Sequence, residues 1–337
     1  MVRGESTQQG SSESAVSSSS SAPSAGNSAA GIRVAFLDFD WTLVECDSVT
    51  ALLKAFAPSI YDEFIRCISE EPFTDLTDRL LRKLLSAGVT LEDMRKVLCS
   101  LPVAESLEEF LSLLKAHGFR VHVVSHSNRF LIDTILNRHG LEPFFSSIES
   151  DPAVWEDEKN ALRLFRFSGE TSGSVCSPHS CRLCPENMCK GDVVEGVLRE
   201  ATSARHSEGH QNENGASSSA VSVCPSEVEC VILAGAGRND ACAVGRLSQA
   251  LGDKFVCCPR TDFGLDRFLR GEGSSLLRQL LEERRSSLVM WRYLGDLSDT
   301  LQPLCQKGKR AVGQMRNLIK RQPATISEEE AEDLALL

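Results

Sequence analysis

The chain lacks any uninterrupted apolar run of about 18 residues, which removes the pattern of a membrane-spanning helix. Its amino terminus has no apolar core either, so no secretory signal is indicated. Positive net charge is missing: 36 Lys and Arg against 47 Asp and Glu leave −11 over 337 residues. That balance argues against a general nucleic-acid or membrane-surface binder and confines any basic site to a local pocket. The 13 cysteines are an odd number, scattered from Cys46 to Cys305 in a chain too long for a small disulfide scaffold. They read as mostly reduced thiols of an intracellular protein. Residues 1–30 are Ser/Ala/Gly-rich and read as a disordered tail. Arg3 is the only basic residue there and Glu5 and Glu13 oppose it, so a cytoplasmic location is expected, with organellar targeting by this segment left open.

What remains is ordinary for a globular protein: 42% hydrophobic and 25% charged residues, with length for one large or two modest domains. The most informative stretch is Ile32 to Thr42, where an apolar run stops at Asp38-Phe39-Asp40. Such a run fits a central parallel strand, and open α/β sheets bind ligands at the carboxyl ends of their strands. Two carboxylates this close repel each other unless a cation lies between them or one takes a proton. Ordinary turn aspartates give the same D-x-D pattern, so the spacing alone does not decide.

Helical periodicity follows from Val49 to about Cys99, through Leu52, Leu53, Phe56, Phe64, Ile65, Ile68, Leu76, Leu80, Leu81, Leu84 and Leu85. Thr90 with Asp93 three residues on marks a helix start. Leu107 to His117 predicts a helix stopped by Gly118, and Phe119 to Val124 a buried strand leading into Ser125-His126-Ser127-Asn128. No clear period runs from Ala153 to Val175. His179-Ser180-Cys181-Arg182-Leu183-Cys184-Pro185-Glu186-Asn187-Met188-Cys189-Lys190 has the ligand types of a zinc site. Yet a second C-x₂-C is absent, and His179, Cys181, Cys184 and Cys189 crowd within eleven residues. Lys190 opens the next helix. Residues 202–226 read as a disordered insertion. A strand at Val228 to Leu233 then leads into Ala234-Gly235-Ala236-Gly237-Arg238-Asn239-Asp240. A strand at Phe255 to Cys257, a helix near Leu265 to Leu269 and the run Leu288 to Trp291 complete a βα alternation that favours a parallel, doubly wound sheet. Residues 303–337 form a basic, then acidic, tail that compensates its own charge.

The ordered set DFDWT, SHSN, HSCRLCPENMCK and GAGRND, with Pro259-Arg260 and Val289-Met290-Trp291, resembles the haloacid-dehalogenase-like phosphatases over roughly residues 32–302. Within them it is similar to the phosphoethanolamine/phosphocholine phosphatase branch, which includes pyridoxal-phosphate phosphatases. The resemblance implies a Rossmannoid parallel sheet with a helical cap at 49–100 inserted after the first strand, and a core of 31–48 and 101–302. It implies Mg²⁺-dependent hydrolysis of a small phosphorylated metabolite, with no nucleic-acid or membrane partner. Asp38 would attack phosphorus while Asp40 serves as acid and base. Thr42, Ser125, His126 and Asn128 would hold substrate, Lys190 would join the catalytic set, and Asp38, Asp40 and Asp240 would surround the metal.

Three positions depart from that pattern. The family's motif IV reads Gly-Asp-Gly-x-Asn-Asp, and Ala236 stands where its metal-ligating Asp would be. His126 and, by counting, Val49 stand where amine-specific members carry carboxylates. Phosphoryl transfer with weak metal affinity and no preference for choline or ethanolamine esters is the expectation. The competing classes are a catalytically impaired relative that binds a phosphorylated ligand or a protein, and a zinc-binding module using Cys181, Cys184, Cys189 and His179. Oligomeric state is not legible in the sequence.

Overall fold

A computed structural model describes residues 31–156, 161–167, 179–207, 224–271 and 275–307. The expectations for 1–30, for 208–223 and for the tail beyond Lys307 therefore lie outside the described residues.

The first strand, β1 (Ile32–Leu37), is followed by α1 (Ser48–Phe56), α2 (Pro58–Cys67), α3 (Phe73–Ser86), α4 (Leu91–Leu98) and α5 (Leu107–Ala116). Then come β2 (Arg120–Asn128), α6 (Arg129–Arg138), β3 (Ser147–Asp151), and a hairpin of β4 (Ala153–Glu156) and β5 (Ala161–Leu164). The chain continues through α7 (Lys190–Ser207), β6 (Val228–Gly235), α8 (Ala241–Leu251) and β7 (Phe255–Pro259). It closes with α9 (Gly264–Arg270), α10 (Ser275–Glu283), β8 (Ser287–Leu288) and α11 (Leu294–Lys307). Among the described residues no helix is long and apolar enough to cross a membrane.

Six strands pair in the order β3-β2-β1-β6-β7-β8, every neighbouring pair parallel. Because side chains alternate along a strand, β1 sends Val34 and Phe36 to one face and Ala35 and Leu37 to the other. Val34 and Phe36 join Val231, Leu233, Phe255 and Cys257 beneath Val194 and Leu198 of α7 and Val244 and Leu247 of α8. Ala35 and Leu37 join Val121, Val123, Ile232 and Val256 on the opposite face. Both faces are covered, which is the condition for an all-parallel sheet. This is the doubly wound α/β architecture that the alternation of elements predicts.

Helices α1 to α4 occupy the stretch expected to form a cap. Thr90 and Asp93 form the capping box their spacing predicts, the hydroxyl taking the Asp93 amide at 3.1 Å. The apolar stripes of these helices, Leu52, Leu53, Phe64, Leu76, Leu80, Leu81 and Leu84, belong to the same buried cluster as Leu37, Val121 and Val123. These helices and the sheet thus share one hydrophobic core.

Several boundaries differ from the sequence reading. The stretch without period contains the β4/β5 hairpin, whose four-residue strands are too short to display a repeat. It is fastened to α3 by Asp78, which accepts the Leu164 amide at 2.8 Å, and by the Arg166–Asp75 ion pair. Helix α7 continues past residue 202, since Ala201 and Thr202 are buried and the Thr202 hydroxyl donates back to the Leu198 carbonyl at 3.1 Å. Helix α11 likewise continues past 303 to Lys307.

Asp151, at the end of β3 and 1% exposed, ties the sheet to both neighbours. It accepts from Asn187 Nδ2 at 2.6 Å and from the Thr74 hydroxyl of α3. Burial pushes its carboxyl up to about 7, against the opposing pull of the Thr74 and Asn187 hydrogen bonds. A carboxyl that holds its proton more tightly when folded contributes stability below its unfolded value near 4 and loses it as pH rises toward 7. Asp151→Asn, which cannot ionise, should therefore gain on the wild type between pH 4 and 7, by about 2–4 kcal/mol, and keep a constant advantage above that. Urea unfolding of both proteins across that range checks it; a pH-independent difference would refute the buried titration.

Candidate active site

Four segments meet at the carboxyl edge of the sheet. Asp38 follows β1, and its amide is fixed by the Ala234 carbonyl of β6 at 3.0 Å. Leu37 is in register with Val123 of β2 and Ala234 of β6, so the residues that follow Val123 within β2 and Ala234 at the end of β6 flank Asp38. Lys190 opens α7 and Asp240 stands before α8.

Lys190 Nζ lies 2.9 Å from Asp38 Oδ1 and 2.7 Å from Asp240 Oδ1, and the lysine is 1% exposed. Burial disfavours its charge, but Asp240 and Asp38 outweigh that and hold the ammonium above its ordinary range. Asp38 Oδ1 also accepts the Phe39 amide at 2.8 Å. Burial pushes the Asp240 carboxyl up to about 7, Lys190 opposing and Asp38 adding to it. Gly235 is needed beside it, since a Cβ there would come within 2.2 Å of Asp240 Oδ2.

Asp40 accepts the Ser48 amide at 3.0 Å. Its carboxyl is held well above the usual range, first by burial and then by the charges of Asp47 and Asp38. Two carboxylates thus share one ammonium, with the Asp40 carboxyl in the field of Asp38, and Asp240 Oδ2 is buried without a hydrogen-bond partner. An oxygen donor set with surplus negative charge fits a hard divalent cation such as Mg²⁺. Ala236 contributes no oxygen: it is 3% exposed and packs with Trp41 and Phe263.

The predicted substrate positions divide. The Thr42 hydroxyl is buried without a partner. Ser125 Oγ accepts the Ser127 amide at 3.1 Å. His126 is pushed down to about 3 by burial, then by Lys190 and His179, so its ring is neutral near pH 7, and its Nε2 has no partner. Asn128 instead caps α6, its Oδ1 accepting the Leu131 amide at 3.2 Å.

Two features escaped the sequence reading. Arg260, buried after β7, donates to the Trp41 carbonyl at 2.7 Å and pairs with Glu45 at 2.5 Å. Its guanidinium lies 4.7 Å from the Phe263 ring and 5.3 Å from that of Trp291. It locks the loop that presents Asp40, and the Pro259-Arg260 and Val289-Met290-Trp291 segments were its only signal. The second is Cys242: it joins Cys181, Cys184 and Cys189, while His179 Nε2 instead donates to the Pro185 carbonyl at 2.7 Å.

A parallel sheet whose central strand ends in D-x-D, with a buried lysine and a further aspartate converging on it, is the arrangement of haloacid-dehalogenase-like phosphatases. The profile of the family described as "Putative Phosphatase" matches residues 33–213, and the chain belongs to that family. A thiamine phosphate phosphatase-like protein of Arabidopsis thaliana is 32% identical over 162 residues, 48% of this chain and 63% of that protein. The human phosphoethanolamine/phosphocholine phosphatase is 27% identical over 272 residues, 79% of this chain and 86% of that protein. The chain spans 52% to 63% of the length of three Arabidopsis relatives it matches. A solved phosphoserine phosphatase, an analogue of its phospho-aspartyl intermediate, overlaps at a TM-score of 0.45 with 14% identity, covering 80% of this chain and 98% of that one. Strand order and register define the fold independently of that overlap.

Arg260→Ala should lower stability by about 2–4 kcal/mol, because it strands a carbonyl and unseats two aromatic rings. Arg260→Lys should recover part of this, since an ammonium lacks the planar fork that reaches Trp41 and Glu45 together. Urea midpoints of the two variants check this, and equal stability of Ala and Lys would sink the clamp.

Proposed function

We propose that the chain is a phosphomonoester hydrolase in which Asp38 is the nucleophile. The observation that carries this reading is Lys190, buried and charged between Asp38 and Asp240 at the end of the central strand. One Asp38 carboxylate oxygen bonds to phosphorus as the bond from phosphorus to the leaving oxygen breaks, giving an aspartyl-phosphate. Asp40, its carboxyl raised by burial and by the charges of Asp47 and Asp38, gives a proton to the leaving oxygen. It then takes a proton from water as the water attacks phosphorus, releasing phosphate and restoring Asp38. Lys190 orients Asp38 and balances its charge. The Thr42 and Ser125 hydroxyls donate to phosphoryl oxygens.

Asp38, the Asp40 carbonyl and Asp240 would hold Mg²⁺, which would offset phosphate charge and orient the ester. The neutral His126 ring supplies no counter-charge for a cationic amine, which favours small phosphomonoesters without one. A screen of small phosphomonoesters and of pyrophosphate at varied Mg²⁺ tests the proposal; binding without turnover would favour a ligand-binding relative, a reading that the apolar seat of Ala236 supports.

With the best substrate of that screen, Asp38→Asn should abolish turnover, because an amide cannot act as the nucleophile. Asp40→Asn should lose roughly 10² to 10⁴ in kcat. Wild-type rates in Asp38→Asn would rule the mechanism out.

If the deficit at residue 236 lies in binding the ion, activity should climb with Mg²⁺ well past ordinary concentrations. Ala236→Asp should lower half-saturating Mg²⁺ by about tenfold or more. Its carboxylate must enter the seat now filled against Trp41 and Phe263, so a stability loss of about 1–3 kcal/mol accompanies it. Mg²⁺ titrations of the folded variant and the wild type decide; an unchanged requirement means another group already fills the position.

A further inference from the structure

The cysteine-rich segment that precedes Lys190 takes no part in the chemistry above, yet its thiols are gathered. Cys181, Cys184 and Cys189 lie on the approach to α7, and Cys242 lies in the first turn of α8. Their four sulfurs are all within 4.8 Å of one another. Cys181 Sγ is 3.3 Å and Cys189 Sγ 3.6 Å from Cys242 Sγ. These separations exceed a disulfide bond of about 2.05 Å by more than an ångström. They match instead the edge of a tetrahedron of thiolates at about 2.3 Å from a central ion, roughly 3.8 Å. Four thiols this close, from two segments some fifty residues apart, have little reason to converge for packing alone.

We infer that Cys181, Cys184, Cys189 and Cys242 form a structural Zn²⁺ site that pins the segment before α7 to the start of α8. Sulfur ligands select a soft or borderline ion, which separates this site from the oxygen-lined one at Asp38. Four protein ligands leave no open position for water, the mark of a structural rather than a catalytic zinc. The spacing has room for one ion, not a cluster. Donors already face the sulfurs: the Leu183 amide is 3.4 Å from Cys181 Sγ and Arg246 Nη2 is 3.7 Å from Cys189 Sγ. Such contacts disperse the negative charge that four thiolates leave around a divalent ion. Gly191 makes room for the arrangement, since a Cβ there would sit 2.6 Å from Cys242 Sγ.

The position of the cluster gives it a purpose. Cys189 adjoins Lys190, and Cys242 is two residues past Asp240, so one ion fixes both backbones where Lys190 meets Asp240 at 2.7 Å. The site acts on the catalytic pair through the chain, without touching it.

The test uses the full chain, purified without chelator from cells supplied with zinc, and reads metal content by plasma mass spectrometry. About one zinc per chain is expected. Cys184→Ser and Cys242→Ser should each lose at least tenfold in bound zinc, while His179→Ala and Cys67→Ser should keep it. Replacement by Co²⁺ in the wild type should give the sulfur-to-cobalt charge-transfer bands and intense visible absorption of a tetrahedral thiolate site, a readout that does not depend on any variant folding. Absence of metal in zinc-supplied protein, stoichiometric iron in its place, full zinc retention by Cys242→Ser, or disulfides among the four cysteines in the reduced preparation would each overturn the inference. None of these readouts depends on whether the chain hydrolyses a phosphate ester.

Discussion

Burying an ammonium costs several kcal/mol unless charged partners are already in place, and the site depends on meeting that condition at Lys190. Asp38 and Asp240 satisfy it together, each sharing its Oδ1 with Nζ. Displacing either would leave a charge in the interior, so the ends of β1 and β6 and the starts of α7 and α8 must arrive in one arrangement. The parallel register supplies the first two by backbone hydrogen bonding. The helix starts are less constrained, because each follows a loop rather than a ladder. That is where the cysteine cluster lies, and a zinc there would supply rigidity that the loops lack.

Negative charge is the other organising quantity. Asp38 and Asp240 share one ammonium, and burial first, then repulsion between neighbouring carboxylates, raises the carboxyls of Asp40 and Asp240. A cation bound beside them would relieve it, as would the transfer of a proton. Ala236 pulls the other way: it makes an apolar contact with Trp41 and Phe263, and Arg260 lies over the Phe263 ring and donates to the Trp41 carbonyl. The site therefore sets buried carboxyls directly beside a hydrophobic seat.

The sheet was legible because its signal is local: β1, β2, β6 and β7 are short apolar runs, and Asp38 falls where one such run ends. Thr90 and Asp93 announced a helix start three residues apart, and the structure closes that box. The β4/β5 hairpin was not legible, since four residues per strand show no period and its hold on α3 comes from Asp78 and Asp75, far away in sequence. Thr202 looked like loop composition, but its hydroxyl bonds back into α7. The thiol cluster was half visible: three cysteines lie close in the chain, but the fourth is 53 residues beyond Cys189 and no spacing rule joins them. His179 filled that gap on paper because proximity in sequence was the only guide. Asn128, read as a substrate ligand, also caps α6 through its Oδ1, a role its sequence neighbours did not announce.

The apolar stripes of α1 to α4 merge with the underside of the sheet, so these helices are not a module that could be trimmed or exchanged. Leu37, Val121 and Val123 are covered by the same cluster that contains Leu52, Phe64 and Leu80. A shortened chain without those helices would present a greasy, unpaired sheet face to water and invite self-association. Movement of these helices must come from small slides over that shared interior, or at the polar seam where Thr74, Asp151 and Asn187 meet, rather than from a hinge swinging free. How far a packed interior can shear then limits how far these helices can move, which makes their mobility a mechanical property of the core.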